Sequence, residues 1–411
     1  MYNFSVMKES DLQDMVRLQA DAYTAFAERM TPERIFALHN RPDVKYHGAY
    51  QNSKLVGGFN IWDFEMNMRQ SMIKAKGIGA IAVDLAHKKE KIAREIMRHF
   101  LNGLRADGIN LALLYPFNSA FYHKMGFGFG SLLQQFRVKP SDLPGGDSKA
   151  HIIRLFEDSA ARLTEFYNSQ TKSTHGLITK RTDEFAMRLQ DPANKIFAYA
   201  TPDGRIRGYI VFQFKRANEE SFLANDIVVS ELLFDAPEVF AELMAFVKSQ
   251  SDQVRYAIIN TQDEGLINTL TDPRNHMDRI LFAVYQECCH TGLGIMYRIC
   301  DVEAFFSDIT NCRFGDLNIT LQVNVSDSFV PENNRSFILE FNSGQCTVTT
   351  NGTPDVELSI DIAEFSSLVM GCANLKSLVK YGKATLSDVT YLDILSRSFA
   401  LDEKPVCLTY F

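Results

Sequence analysis

A glycine-bearing strand pattern occurs twice in this chain, one domain length apart. In the first copy the turn Gln51-Asn52-Ser53-Lys54 leads into Leu55-Val56-Gly57-Gly58-Phe59-Asn60-Ile61. In the second, Pro202-Asp203-Gly204 leads into Ile206-Arg207-Gly208-Tyr209-Ile210-Val211-Phe212. Gly208 stands about 150 residues after Gly58, and other elements keep that offset. Phe4–Met7 and the helix carrying Leu12, Met15, Leu18 and Ala22 are matched by His151–Leu155 and Ser159–Tyr167. The apolar run Ile78–Val83 is matched by Leu223–Leu233. The helix with Ile92, Ile96, Phe100 and Leu104 on one stripe is matched by Pro237–Lys248, and Leu111–Tyr115 by Tyr256–Asn260. A duplicated strand–helix–strand unit has to fold twice, each time around its own core. This points to an α+β or α/β fold with a crossover in each copy.

The remainder reads differently. Leu317, Ile319, Leu321, Val323 and Val325 alternate with polar residues, as do Phe337, Leu339 and Phe341, and Val356, Leu358, Ile360 and Ile362. That period predicts an antiparallel sheet with one wet face. Helices follow over Ala363–Met370, Leu375–Tyr381 and the segment carrying Tyr391, Leu392, Leu395 and Phe399, the last capped by Ser387. The Pro/Gly-rich stretch Lys139–Asp147 breaks both periodicities and marks a boundary. The expected domains are 1–146, 147–290 and 291–411. All seven cysteines lie in the last third without a CxxC spacing, which predicts buried thiols and neither a disulfide framework nor a zinc site. A net charge of -7 argues against a nucleic-acid or anionic-membrane partner. No apolar run approaches ~18 residues, so no membrane span is expected. The polar opening MYNFSVMKESDLQ is unlike a signal peptide, so the expected location is cytoplasmic.

Two stretches carry chemistry. In the first, the strand ending Ile81-Ala82-Val83 runs through Asp84-Leu85-Ala86-His87-Lys88-Lys89-Glu90-Lys91 into a helix at Ile92. Exposed N–H groups, the helix dipole and clustered Lys and Arg form an anion site suited to phosphate. The second is Leu113-Leu114-Tyr115-Pro116-Phe117-Asn118-Ser119-Ala120-Phe121-Tyr122-His123-Lys124-Met125-Gly126-Phe127. Here a strand, a cap and a short helix end on a Gly-aromatic stop.

Together these stretches resemble the acetyl-CoA site of GNAT acetyltransferases. In that family an Arg/Gln-x-x-Gly-x-Gly/Ala loop holds the pyrophosphate, and an Asn followed by a Phe-Tyr-x-x-x-Gly-Phe helix flanks pantetheine and sulfur. Asn118 and Phe121–Phe127 match the second motif. In the loop Lys88 takes the Arg/Gln place and Ala93 the final small residue, while Lys91 replaces the central glycine. Two GNAT units followed by a sterol-carrier-protein-like module resemble the Eis (enhanced intracellular survival) N-acetyltransferases over the whole chain.

The resemblance implies a fold of two tandem GNAT domains and a sterol-carrier-protein-like α/β domain. It implies acetyl-CoA as co-substrate, no metal, a small-molecule amine acceptor (aminoglycoside, polyamine or lysine-like), and a homo-oligomer, as a hexamer. Ile81, Val83, Lys88, Lys89, Lys91, Ile92 and Asn118 would hold the CoA. The Val83 N–H would polarise the thioester, and the strand would splay near Asp84 to admit pantetheine. Tyr122 would be the general acid, and the α-carboxylate of Phe411 the base. Asp21 and Glu65 are candidates for an acceptor pocket or for plain solvated surface. The second copy's loop, Leu233-Phe234-Asp235-Ala236-Pro237-Glu238, has two acids and no basic residue, so one CoA site per chain is expected. The alternative is a non-catalytic, GNAT-derived protein that binds a small or apolar ligand, because a lysine in the glycine position can obstruct the loop.

Overall fold

In the computed structural model, which describes residues 2–218, 224–277 and 280–411, the chain divides into two compact units. One holds the residues up to Gly130, Gly294–Asp402 and Thr409–Phe411; the other holds Ser131–Leu293 and Glu403–Leu408. The first unit begins with β1 (Asn3–Val6), α1 (Leu12–Ala22), α2 (Pro32–His39), β2 (Val44–Gln51), β3 (Lys54–Met68) and β4 (Ser71–Val83). It continues with α3 (Ile92–Ala106), β5 (Leu111–Leu114), α4 (Ser119–His123) and β6 (Gly128–Phe129). β1 to β4 pair antiparallel, and β4 and β5 pair in parallel. The strand Met296–Ile299, which follows the segment Ser131–Leu293 of the second unit in sequence, fills the place between β5 and β6.

Helical periodicity explains how these elements pack. Ile92, Ile96, Met97, Phe100, Leu101 and Leu104 form the buried face of α3 and join Phe59, Ile78, Ala112 and Leu114 of the sheet in one core. α1 buries Leu12, Met15 and Leu18. It is entered through the short turn Glu9–Asp11, without a side-chain cap. The run Ile78–Val83 reads as a fully buried strand, but Gly79, Ala80, Ile81 and Val83 are only half-buried. The reason is topological: β4 and β5 pair at Lys76↔Ala112 and Gly77↔Leu113 and then part.

In the second unit the parallel pair recurs, with Asn225–Phe234 beside Val254–Thr261 and Pro237–Lys248 as the crossover helix. Leu223, the start of the matching run, lies outside the described residues. The packing divides the chain at Gly130 and not within Lys139–Asp147. β7 (Leu133–Val138) pairs in the second sheet with Val254–Thr261 and Cys289–Gly292, and Phe136, Val138 and Leu143 enter that unit's core. A Pro/Gly-rich stretch marks a turn, and here the turn lies inside the second unit.

The third module carries a sheet in the order Gln345–Thr349, Ser336–Asn342, Ile319–Ser326, Val356–Asp361, Ala384–Leu386. The alternation holds, with Leu321, Val323 and Val325 buried. The expectation of an all-antiparallel sheet does not: Ile319–Ser326 and Val356–Asp361 run in parallel. A period of two assigns faces but is the same for either strand direction. The helix Ile362–Val369 lies on Met296–Ile299 and β6, where Ser366 Oγ accepts the Ile299 N–H at 3.0 Å and Ser367 Oγ donates to the Phe129 carbonyl at 2.9 Å. Gly128 is required at this contact, because a Cβ there would lie 2.1 Å from the Ala363 carbonyl oxygen. Asp388, and not Ser387, caps the turn before Leu392–Phe399.

Candidate active site

The groove begins where β5 leaves β4. It opens at Gly77, earlier along the strand than Asp84, where the splay is expected. A β-bulge shapes its wall: Asn60 pairs with Gly79 and Gly58 with Ala82, so β4 carries one residue more than β3, and Ala80 takes a φ of 52°. Beyond the bulge the Asp84 N–H donates to the Val56 carbonyl at 3.0 Å. Successive strand residues point to opposite sides, so the main-chain groups of Val83 and Ile81 face away from β3, into the gap. The Tyr23 hydroxyl, donating to the Ile81 carbonyl at 2.9 Å, occupies that side.

The loop after β4 is a built turn. Asp84 accepts the Ala86 N–H at 2.9 Å and an Arg17 N–H at 3.2 Å, which together hold its carboxyl below the usual range. Lys89 and Lys91 have φ of 69° and 66°. Lys91 is the N-cap of α3 and provides no side-chain cap. The first N–H groups of that helix therefore face outward. Lys88, Lys89 and Lys91 are exposed, and among the described residues their side chains make no ion pair or hydrogen bond. Glu90, the other acid of the loop, is held by His87 at 3.1 Å. Lysine at 91 thus keeps the left-handed backbone of the expected glycine and adds a cation to the same place. The objection that it obstructs the loop loses its backbone basis. Uncapped N–H groups and three unpaired ammonium groups fit a diphosphate.

α4 is capped by Asn118, whose Oδ1 accepts the Phe121 N–H at 3.1 Å. One turn on, Tyr122 is 5% exposed and packs between Phe121 and Phe127. Its hydroxyl makes no hydrogen bond among the described residues. Burial, with Tyr23 nearby, pushes the phenol well above its usual range, and burial raises Tyr23 to about 12. Ile92 and Tyr122 lie in one apolar cluster, with Ile81 and Val83 packed against it.

Phe411 sits further back along the same strand. Its ring packs on Phe64, Tyr115 and Trp62, with centroids at 4.9, 5.3 and 6.3 Å. The Tyr115 hydroxyl donates to the Thr409 carbonyl at 3.1 Å. Two glycines make the seat. A Cβ on Gly77 would lie 2.5 Å from the Phe411 ring and 2.6 Å from that of Phe64. A Cβ on Gly79 would lie 3.1 Å from the Phe411 carboxyl carbon and 2.8 Å from Asn60 Oδ1. From Gly79 to Ile81 is roughly 7 Å of strand, so the Phe411 carboxyl group and the Tyr122 cluster occupy neighbouring steps of one groove. Gly77, Gly79, Asn60, Trp62, Phe64, Tyr115 and Tyr23 escape the sequence reading. The Gly77-Ile78-Gly79 alternation inside an apolar strand is the signal that marks a close approach. Asp21 pairs with Arg17 at 3.8 Å, and Glu65 is exposed on β3.

The corresponding places in the second unit are filled. Arg207 pairs with both loop acids, Asp235 at 3.1 Å and Glu238 at 2.9 Å. Past the last parallel pair, Val229↔Ile259, the fully buried Glu231 accepts from Lys180 at 2.7 Å, from Tyr209 at 2.8 Å and from Arg188.

Comparison with known proteins bears on the domains and the fold. Residues 3–130 and 176–299 each match an acetyltransferase (GNAT) domain, and residues 302–408 match a sterol carrier protein domain. An uncharacterised N-acetyltransferase of Streptomyces coelicolor is 22% identical over 366 residues, 85% of this chain and 84% of that protein. Among solved structures, a GCN5-related N-acetyltransferase from Anabaena variabilis superposes with a TM-score of 0.84 at 16% identity, covering 100% of both chains. Eis1 from Mycobacterium abscessus does so with a TM-score of 0.78 at 18% identity, again over 100% of both chains. By these matches the chain carries two acetyltransferase (GNAT) domains followed by a sterol carrier protein domain. Among the described residues no helix is long and apolar enough to cross a membrane.

Proposed function

We propose that this protein transfers the acetyl group of acetyl-CoA directly to a primary amine of a small molecule: an aminoglycoside, a polyamine or a lysine-like amine. The observation that carries the reading is the Phe411 carboxyl group resting on Gly79, in the groove that β5 leaves open. Lys88, Lys89, Lys91 and the N–H groups at Ile92 would hold the diphosphate. Ile81 and Asn118 would flank pantetheine, and the Val83 N–H would meet the thioester oxygen. The amine nitrogen bonds to the carbonyl carbon and the C–S bond breaks. The departing thiolate takes the Tyr122 proton, and the ammonium proton passes to the Phe411 carboxylate through water. Burial keeps Tyr122 protonated, so it meets the sulfur as a donor. The family resemblance adds a cytoplasmic hexamer, and sedimentation of the native chain tests the oligomer.

The test uses the chain ending at Phe411 without a tag, acetyl-CoA, and spermidine, kanamycin and lysine methyl ester as acceptors. CoA release is expected with at least one of them. Tyr122→Phe, or a single glycine added after Phe411, lowers kcat by about 100-fold or more, the scale of a lost acid or base. Full turnover in both variants overturns the mechanism, and no release with any of the three overturns the acceptor class.

A further inference from the structure

We propose that the turn Asp327–Val330 of the third module positions both halves of the acetyl-CoA site, Tyr122 through Arg298 and the α3 loop through Phe329. This rests on the reading above, in which Tyr122 is the acid and the α3 loop holds the diphosphate. Arg298 is fully buried on the strand between β5 and β6. Its guanidinium donates to the Met125 carbonyl and, at 2.6 Å, to the equally buried Asp327. Met125 closes the α4 turn, since its own N–H donates to the Tyr122 carbonyl at 2.9 Å, as the Phe127 N–H does at 3.2 Å. The bond from Arg298 therefore fixes the Met125–Gly126 peptide, which lies between the two N–H groups that hold the Tyr122 carbonyl. Gly126 leaves room for it: a Cβ there would lie 1.4 Å from Arg298 Nη1.

The other arm of the turn reaches α3. Asp327 Oδ1 accepts the N–H groups of Phe329 and Val330 at 3.0 and 2.8 Å, which sets the direction of the Phe329 ring. That ring lies under Arg94 and Arg98, with guanidinium carbons 5.8 and 5.1 Å from its centroid. Phe329 and Val330 share one core with Ile92, Ile96, Tyr122 and Met125. A carboxylate of the third module thus holds, with its two oxygens, the two parts of the first domain that the reaction must keep in register. Arg298 and Phe329 touch no reacting atom, so they are positioning residues.

Arg298→Lys keeps the charge for Asp327, but a lysine lacks the fork that serves both acceptors. In the full-length untagged chain, with spermidine, kanamycin or lysine methyl ester, it is expected to lower kcat at least tenfold and to leave KM for acetyl-CoA within twofold. In a Tyr122→Phe background the same substitution costs nothing further, because the group it positions is gone. Phe329→Leu is expected to weaken acetyl-CoA binding three- to fivefold by calorimetry, with kcat within twofold. If Arg298→Lys does not fold, the neutral pair Arg298→Gln with Asp327→Asn retains an acceptor for the turn and is expected to give the same kcat loss. Equal kcat losses with and without Tyr122, or unchanged acetyl-CoA binding in Phe329→Leu, overturn the proposal. Failure of the acceptor reading shows separately: no acceptor is turned over, and the calorimetric result alone then decides the proposal.

Discussion

Lys91 holds a left-handed backbone conformation that costs a lysine roughly 1–2 kcal/mol. Its side chain is exposed and unpaired among the described residues, so packing does not account for that strain, and the proposed diphosphate contact does. Lys91→Gly is expected to raise stability by about 1 kcal/mol and to weaken acetyl-CoA binding. The log–log dependence of affinity on salt should become shallower, because one cation has left the anion site. An unchanged salt slope removes Lys91 from that site. At the other end of the groove Gly77 is the sensitive position. Gly77→Ala puts a methyl group into the Phe411 ring, so it is expected to lower kcat at least tenfold with unaltered acetyl-CoA affinity, since the α3 loop is untouched. Tyr122, pushed up by burial, stays protonated across the working range. The pH profile of kcat should therefore show no descending limb below about pH 10, and a limb near pH 8 would identify a different acid.

Short elements take their orientation from neighbours that sequence order hides. α4 has five residues and cannot hold its place by helix propensity alone. Asn118 caps it, Arg298 ties its end, and His123 reaches Glu364 of the helix Ile362–Val369 at 3.3 Å. The Glu364 hydrogen bond raises His123 against the effect of burial, with Asp361 adding to the rise and Lys383 opposing it. Burial disfavours the Glu364 charge, yet His123 and Lys383 hold that carboxyl below its usual range. The sign follows for each partner. His123 contributes stability that is complete below its unfolded pKa of 6.5 and is lost as pH rises through the raised folded value. Glu364 contributes above 4.5 and loses it as pH falls through the lowered value. Stability should therefore decline as pH rises above 6.5 through the raised value of His123, and His123→Gln should flatten that decline in thermal melts at matched ionic strength. The elements themselves were legible in the sequence, because α3 and the module's strands carry strong periodicities. The Phe-Tyr helix and the basic loop were legible as motifs. Met296–Ile299 could not be assigned to the first sheet, since nothing in four apolar-to-polar residues says which of two cores they complete. The seat of Phe411 was hidden for a related reason, as Trp62, Phe64 and Tyr115 read individually as ordinary core aromatics.

Duplication gave the molecule two grooves, and the chain has treated them in opposite ways. In the first copy β4 carries glycines where the strands part, and the space is taken by Phe411. In the second the parting strands enclose Glu231, neutralised by Lys180 and Arg188 and bonded to Tyr209. The loops diverge in the same sense. The first has three lysines unpaired among the described residues, whereas the second has two acids covered by Arg207, a partner from the neighbouring strand that the loop sequence alone does not show. A buried charge cluster of this kind is costly to open, since removing one partner strands the others in a low-dielectric interior. These pairs support the proposal that the second copy is a scaffold. Acetyl-CoA is expected to bind with a stoichiometry of one per chain in calorimetry. Lys88→Ala combined with Lys91→Ala should weaken that single transition at least tenfold and uncover no other. A residual site of unchanged affinity would place a second acetyl-CoA in the other copy and show that Arg207 and Glu231 move aside. Glu231→Gln provides the complementary check. It removes the carboxylate charge that Lys180 and Arg188 share, so it is expected to cost about 3–5 kcal/mol of stability while a chain that still folds keeps its acetyl-CoA affinity.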